Sequence, residues 1–365
     1  MLSKACIVGT YQRKLELLAE QGLELTVAVP PHWRDERGTL ELERTYTRGY
    51  RLIVLPLAFN GSFHLHFYPT FGRLVRRLRP DLVHLDEEPY NFATFHANLL
   101  ARRSGARTLW FSWQNLKRNY PPPFAWMERY NLRHVEGAIA GSHSAAEVWR
   151  AKGYRGPMAV IPQFGVDPDL FTPPRAREGA VHFAYVGRLV EEKGVDLFLE
   201  ALAELPRGGW RATVLGSGPL EAALRAQAAR LGLGGMLTFR PPLPSTRMPD
   251  FFRSVDVLVL PSRTRRNWKE QFGRVLVEAM ACEVAVVGAA SGEIPHVIGE
   301  AGLRFPEGEA AALAAHLRRL LTDGSLRRAL GRRGRERVLA NFTQAQVAAR
   351  TAAFYRRLME AKEVA

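Results

Sequence analysis

The sequence predicts an α/β chain made of two doubly wound, parallel-sheet units, and three observations carry that reading. Short apolar runs of strand type alternate with helix-length amphipathic segments along all 365 residues, the rhythm of β/α units. Glycine turns close several of these runs, as at Gly9-Thr10, Gly141-Ser142, Gly187-Arg188 and Gly216-Ser217-Gly218. A proline-rich, charged, aperiodic stretch at residues 171–179 interrupts the rhythm, which restarts at Val181; this stretch predicts a linker. The length suits two domains of roughly 100–200 residues each.

In the first half, residues 5–8 predict a strand entering Gly9-Thr10, and Leu15 to Gln21 a helix stopped by Gly22. Further strands are predicted at 25–29, 51–57, 82–85, 108–111 and 138–140, with helices at 70–78 and 144–152. The first turn lacks a G-x-G-x-x-G fingerprint, which argues against an ordinary dinucleotide domain. Residues 64–68 form an aromatic, polar loop, and three prolines (Pro121, Pro122, Pro123) precede an aromatic helix with Phe124, Trp126 and Tyr130. Those aromatics read first as core and second as a platform for an apolar or sugar acceptor. In the second half, strands are predicted at 181–186, 211–215, 237–240, 255–260 and 284–287. Helices are predicted at 195–205, 220–230, 249–253, 310–321 and 326–340, and a last one from Asn341-Phe342-Thr343 to about residue 362.

The chain is strongly basic: 51 Lys and Arg against 36 Asp and Glu give a formal net charge of +15. Arginine dominates, with 44 arginines and seven lysines, a bias that genome composition or heat would produce as readily as function. Such a surface attracts sugar nucleotides, acidic headgroups or nucleic acid, but no nucleic-acid recognition module accompanies it. Cys6 and Cys282 sit in apolar segments and read as reduced, buried thiols of a cytoplasmic protein. Lys4, Arg13, Lys14 and Glu16 interrupt any signal-like apolar stretch, and no apolar run approaches the roughly 18–20 residues of a membrane span. Membrane contact, if made, is then peripheral, at the inner face. Arg73, Arg76, Arg77, Arg102 and Arg103 are the cations placed to make it.

Residues 268–305 organise the chain. Glu270 and Glu278 stand eight positions apart, about 80° from one another on a helical wheel. A helix starting near Gly273 would offer amide donors beside Glu270, which suits an anionic or polyhydroxylated ligand. Arg188 and Lys193 place two cations in a strand-to-helix loop, where they can grip a diphosphate. Asp86, Glu87 and Glu88 follow the strand at 82–85. They read either as a solvated acidic turn or as groups that bind hydroxyls or supply a base.

These motifs stand in one order: G-R-L-x-x-E-K-G at 187–194, G-x-G-P at 216–219, Pro261-Ser262, and E-x-F-G-x-x-x-x-E-A-M-A at 270–281. With Ile161-Pro162 and Gly165-Val166-Asp167 in the first half, the chain resembles the retaining GT-B glycosyltransferases of family 4, most strongly from Val181 to Phe305. That resemblance implies two Rossmann-like domains facing an interdomain cleft, residues 1–172 binding the acceptor and 173–340 the donor. The closing segment 341–365 would pack back on the first domain. It implies Arg188, Lys193 and Glu270 as the catalytic set, with Arg188 and Lys193 on the donor diphosphate. Glu270 and the Phe272-Gly273 backbone, continued by Arg274 and Val275, would face the donor sugar, and Glu278 the ribose hydroxyls. Gly9, Gly187 and Gly216 would complete the donor contacts, and Asp86, Glu87, Glu88, Gln114 and Asn115 would contact sugar or acceptor.

A nucleoside-diphosphate sugar is the implied substrate, a UDP-sugar first and a GDP-sugar second, with no cofactor and no metal. Asp167-Pro168-Asp169 follows a structural turn and predicts no metal site. A glycan, a lipid-linked sugar or a small molecule would be the acceptor. Gln114 and Asn115 stand where the family often has His, Gly9-Thr10 replaces a glycine pair, and His296 stands where relatives often have Glu. A sugar-nucleotide epimerase or glycan phosphorylase on the same fold, and a non-enzymatic basic binding protein, are the rival readings.

Overall fold

The computed structural model describes residues 1–35, 38–176 and 179–360. It divides into two compact units: residues 1–165 joined by the segment from Gln344 onward, and Val166–Thr343.

The first unit is an α/β structure around a parallel sheet. Its strands are β1 (Thr26–Val29), β2 (His32–Asp35), β3 (Gly38–Glu41), β4 (Arg51–Val54), β5 (Leu82–Leu85), β6 (Arg107–Ser112), β7 (Gly137–Ala140) and β8 (Met158–Val160). β5-β6-β7-β8 and β1-β4 pair in parallel, while β2 and β3 form an antiparallel hairpin. Leu2 bridges Ala28 on one side and Leu85 on the other, linking the two parallel ladders.

The strand predicted at residues 5–8 does not form. Residues Ala5–Ile7 and Gly9–Gln12 are 3-10 turns instead. Ser3 explains the change: its hydroxyl accepts from the Cys6 amide at 3.3 Å and donates to Asp86 Oδ2 at 2.5 Å. That side-chain capture turns the backbone just after Leu2 and outweighs the strand preference of Cys-Ile-Val.

The last helix, Gln344–Glu360, belongs to this first unit because its apolar stripe finds a core there. Val347, Ala348, Ala352, Tyr355 and Leu358 pack with Leu15, Leu18, Leu109 and Ile139. Burial of the larger of these, such as Val347 and Leu358, contributes about 1.5–3 kcal/mol each, and of the alanines about 0.8 kcal/mol. Tyr355 also pairs its hydroxyl with His84 Nδ1 at 2.5 Å. Residues 361 and 362, the end of the helix read from sequence, lie outside the described residues.

The second unit carries one six-stranded, all-parallel sheet: β9 (Val181–Val186), β10 (Trp210–Leu215), β11 (Leu237–Arg240), β12 (Val257–Leu260), β13 (Ala285–Ala289) and β14 (Leu303–Phe305). The spatial order is β11-β10-β9-β12-β13-β14, the doubly wound order whose direction reverses between β9 and β12. Both faces are covered, as a parallel sheet requires. Phe183, Tyr185, Val257 and Val259 point into one core with Phe198 and Leu202. Ala184, Leu258 and Leu260 point into the other, with Leu276, Met280 and Ile294.

Unit boundaries differ from those read in the sequence. The division falls at Gly165/Val166 and Thr343/Gln344 rather than after residues 172 and 340. Val166 and Thr343 bridge one another, and Phe171 is buried against Phe252, with ring centroids 6.3 Å apart. The front of the proline-rich stretch is therefore part of the second core; Arg177 and Glu178 of that stretch lie outside the described residues.

At the reversal point the loops after β9 and β12 touch backbone to backbone. Gly194 is left-handed (φ 64°), and a Cβ there would lie 2.1 Å from the Pro261 carbonyl oxygen. Any side chain must push these loops apart or distort the turn, at a cost of about 2 kcal/mol or more. Gly194→Ala is expected to lower the melting temperature by roughly 4–8 °C in a calorimetric scan. An unchanged melting temperature would mean that the loops separate freely.

Candidate active site

In the second unit, the chain reversal leaves a crevice-forming position at the carboxyl ends of β9 and β12, where doubly wound sheets bind ligands. Lys193 closes the short 3-10 turn Glu191–Lys193 after β9, and Glu270 ends the loop after β12. They meet there: Lys193 Nζ donates to Glu270 Oε2 at 2.6 Å. Ser262, at the start of the same loop, donates its hydroxyl to that oxygen at 2.9 Å. The two charged side chains are only 16% and 10% exposed, so each depends on the other for its charge. Trp268 lies beside them, its ring centroid 4.8 Å from the Lys193 ammonium.

The loops are tied together at further points. The Arg263 amide donates to the Glu192 carbonyl at 2.8 Å, and its guanidinium forks onto both Asp196 oxygens at 3.0 and 2.7 Å. Arg265 pairs with Glu191. The Glu293 amide, in the turn after β13, donates to the Glu270 carbonyl at 3.1 Å.

Other residues read from the sequence fall around this centre in different ways. Gly187 and Gly216 approach so closely that a Cβ on Gly216 would sit 1.8 Å from the Gly187 oxygen. The Arg188 side chain is 63% exposed and pairs with Glu192 at 3.3 Å, while its carbonyl accepts from Tyr185 at 2.7 Å. Gly273 caps the helix Arg274–Ala281 in a left-handed conformation. Glu270 therefore lies just ahead of the helix, as the predicted start near Gly273 requires, and the wheel angle of about 80° to Glu278 does not describe the pair. Glu278 accepts from Arg274 Nε at 2.8 Å, one turn earlier on the helix. Burial pushes its carboxyl above the usual range, against the pull of Arg274. Val275 and Phe272 are half-buried, and Phe272 packs edge-on against Phe342 at 5.8 Å. His296 is exposed on the helix Ile294–Ile298, and its carbonyl accepts from Arg337 at 2.6 Å.

The first unit corrects several assignments. Gly9 offers no open amide: its N–H donates to Glu43 Oε2 at 2.5 Å, and Thr45 fills the space where a Cβ would lie. The three acids after β5 do not share one cavity. Asp86 is buried and bound to Ser3 and to Gln163 Nε2 at 3.0 Å. Burial raises its carboxyl above the ordinary range, opposed by Lys14. Glu87 is buried too, but Lys4 at 3.9 Å and His66 at 3.6 Å outweigh its burial and hold its carboxyl low. Both are structural pins. Gln114 and Asn115 are likewise buried, and Gln114 donates to the Leu116 carbonyl at 2.9 Å.

Glu88 behaves differently. It accepts from Ser112 Oγ at 2.5 Å and from the Trp113 amide at 2.8 Å, and burial pushes its carboxyl up to about 7. It is thus half-buried at the carboxyl ends of β5 and β6 and poised near neutrality. Beside it in sequence, Tyr90 stacks on Tyr120 at 4.3 Å, with His64 ring contacts to both.

The sequence marks Pro261-Ser262 as a motif and Trp268 as the start of the organising stretch, but assigns neither the Ser262 bond to Glu270 nor a role for the Trp268 ring, and it passes over Arg263. Their only signal was position, in the loop between a strand end and Glu270.

Comparisons with known proteins match both halves of the chain. Residues 8–163 match the glycosyl transferase 4-like domain and residues 167–337 the glycosyl transferases group 1. A D-inositol 3-phosphate glycosyltransferase of Streptomyces bingchenggensis is 32% identical over 53% of this chain and 42% of that protein. The lipopolysaccharide core biosynthesis glycosyltransferase LpsE of Rhizobium meliloti is 28% identical over 90% of this chain and 88% of its own length. The chain spans about half or less of the D-inositol 3-phosphate relatives it matches, 34% to 51% of their length. Anabaena Alr3699/HepE, solved in complex with UDP, shares the fold with a TM-score of 0.72 over 98% of both chains at 17% identity. With both halves matched in order and the parallel-sheet units in place, the chain has the GT-B fold and belongs to the glycosyl transferases group 1 family.

Proposed function

We propose that this chain transfers a sugar from a nucleoside-diphosphate sugar to a glycan or lipid-linked acceptor, with retention of configuration and without a bound metal. The observation that carries this reading is the Lys193–Glu270–Ser262 cluster at the reversal point of the second sheet. A cation and a hydroxyl-binding carboxylate stand there 2.6 Å apart, one suited to a leaving diphosphate and the other to sugar hydroxyls. As the glycosidic bond breaks, negative charge grows on the diphosphate, and Lys193 with Arg188 offsets it. The ammonium is then shared with phosphate, and Glu270 turns to the sugar hydroxyls. The departing phosphate oxygen takes the acceptor proton on the same face, so the configuration is kept. Glu278 receives the ribose hydroxyls once Arg274 yields.

UDP in Alr3699/HepE favours a UDP-sugar as donor; the GDP-mannose-dependent mannosyltransferase of Mycolicibacterium smegmatis, 30% identical over 51% of this chain, keeps a GDP-sugar as the alternative. The acceptor reading rests on Glu88 and its aromatic neighbours. Arg73, Arg76 and Arg77 are exposed on the helix Phe71–Leu78 and support contact with an anionic surface, whereas Arg102 is engaged by Glu136 at 2.7 Å. Among the described residues, no helix is long and apolar enough to cross a membrane. The buried thiols of Cys6 and Cys282 suit a reducing compartment such as the cytoplasm.

A thermal-shift screen over UDP-, GDP-, ADP- and TDP-sugars selects the donor, since a bound donor raises stability by mass action. With that donor, Lys193→Ala is expected to lower kcat by about 100- to 1000-fold, and Arg188→Ala to lower turnover by about tenfold or more. Near-wild-type turnover in both variants contradicts the leaving-group site. Product NMR is expected to show the donor's anomeric configuration retained, and chelator is expected to leave the rate unchanged; an inverted product or a chelator-sensitive rate contradicts the corresponding part.

Glu88 gives a pH test. Its folded-state pKa, about 7, lies above the ordinary glutamate value of 4.5, so the folded state holds the proton more tightly than the unfolded one. Its contribution is present at acid pH and is lost as pH rises from about 4.5 through 7. Glu88→Gln is expected to flatten the loss of stability across that window in urea titrations at fixed pH. A slope equal to wild type would show that Glu88 titrates normally.

A further inference from the structure

Trp268 has no role in the reading above, yet the structure spends several contacts on placing it. Arg265 and Trp268 exchange backbone hydrogen bonds, N–H to carbonyl, at 2.7 and 3.3 Å, which folds residues 265–268 into a tight hairpin. That hairpin is fixed to the turn carrying Lys193 by the Arg263 amide on Glu192, the Arg263 fork on Asp196, and the Arg265–Glu191 pair. The ring it presents faces the Lys193 ammonium, 4.8 Å from its centroid, inside the distance at which an aromatic face attracts a cation. The same ammonium donates to Glu270 Oε2 at 2.6 Å.

We infer that Trp268 is a positioning residue for the donor diphosphate. Its ring holds the Lys193 ammonium at the mouth of the loop by cation–π attraction, so that the cation keeps its place when the diphosphate draws it away from Glu270. A lysine stem has four rotatable carbons and a strongly hydrated head; without the ring, the ammonium would disperse into solvent on leaving Glu270. The ring gives it a second partner that does not compete for its hydrogen bonds. Attraction to a ring face adds to a hydrogen-bonding partner instead of replacing it, and its strength rises where water is excluded.

This inference rests on the donor reading, and the experiment separates the two. UDP, GDP, uridine and guanosine are titrated into the full chain by calorimetry and ligand-observed NMR. Failure of the wild type to bind either diphosphate overturns the donor reading itself. With the wild type binding, Trp268→Leu, which keeps apolar bulk but no π face, is expected to weaken diphosphate affinity by about three- to thirtyfold. Its affinity for the matching nucleoside, which lacks phosphate, is expected to stay at the wild-type level. Trp268→Phe restores a ring face and is expected to bind the diphosphate within about threefold of wild type. Equal losses for nucleoside and diphosphate, or Leu performing as well as Phe, would overturn the assignment. Arg265→Ala provides a second route should Trp268→Leu fail to fold. It cuts the tie to Glu191 but leaves the ring, and is expected to weaken diphosphate binding alone; unchanged diphosphate binding in Arg265→Ala would equally count against the hairpin's role.

Discussion

The contact on which the second unit depends is the meeting of two loops at the sheet's reversal point, where Gly194 admits the Pro261 carbonyl and Lys193 reaches Glu270. Everything useful in that unit follows from how closely the loops after β9 and β12 approach. The absent Cβ at Gly194 sets the separation; the ion pair, the Ser262 hydroxyl and the arginine ties then hold the approach in register. Such a pair is a poor device for stability alone, because desolvating two charges costs about as much as their attraction returns. It makes better sense as a site held ready: removing one partner leaves the other uncompensated, and a ligand bearing phosphate and hydroxyls can replace each for the other.

A similar plan in the first unit gives a different result. There the loop after β5 also carries acids at the carboxyl edge of a parallel sheet, but Asp86 and Glu87 are turned inward and satisfied by Ser3, Gln163, Lys4 and His66. They hold the start of the chain in place. Glu88, which accepts from Ser112 and the Trp113 amide, is instead held near neutrality by burial. Neighbouring carboxylates on one loop are thus divided by their partners into scaffold and chemistry.

Much of this was legible in the sequence. Short continuous apolar runs placed nearly every strand of the second unit, because a strand covered on both faces is apolar throughout. Lys193 and Glu270 were readable from their glycine-marked loops. The failures share a cause. The residue 5–8 strand was lost to a hydroxyl three residues back, and the boundary at 172 to a phenylalanine finding its core. Each depends on one tertiary partner, which periodicity does not encode. The role of Trp268 was hidden for the same reason, since a tryptophan in a polar loop gains meaning only when the lysine beside it is known.

The most direct measurement of the central claim is a crystal structure of the chain with a nucleoside diphosphate bound. Phosphate oxygens are expected within hydrogen-bond distance of Lys193 Nζ, at the loops following β9 and β12, with Glu270 released from the ammonium. A diphosphate bound elsewhere, with the 2.6 Å Lys193–Glu270 contact intact, would contradict it.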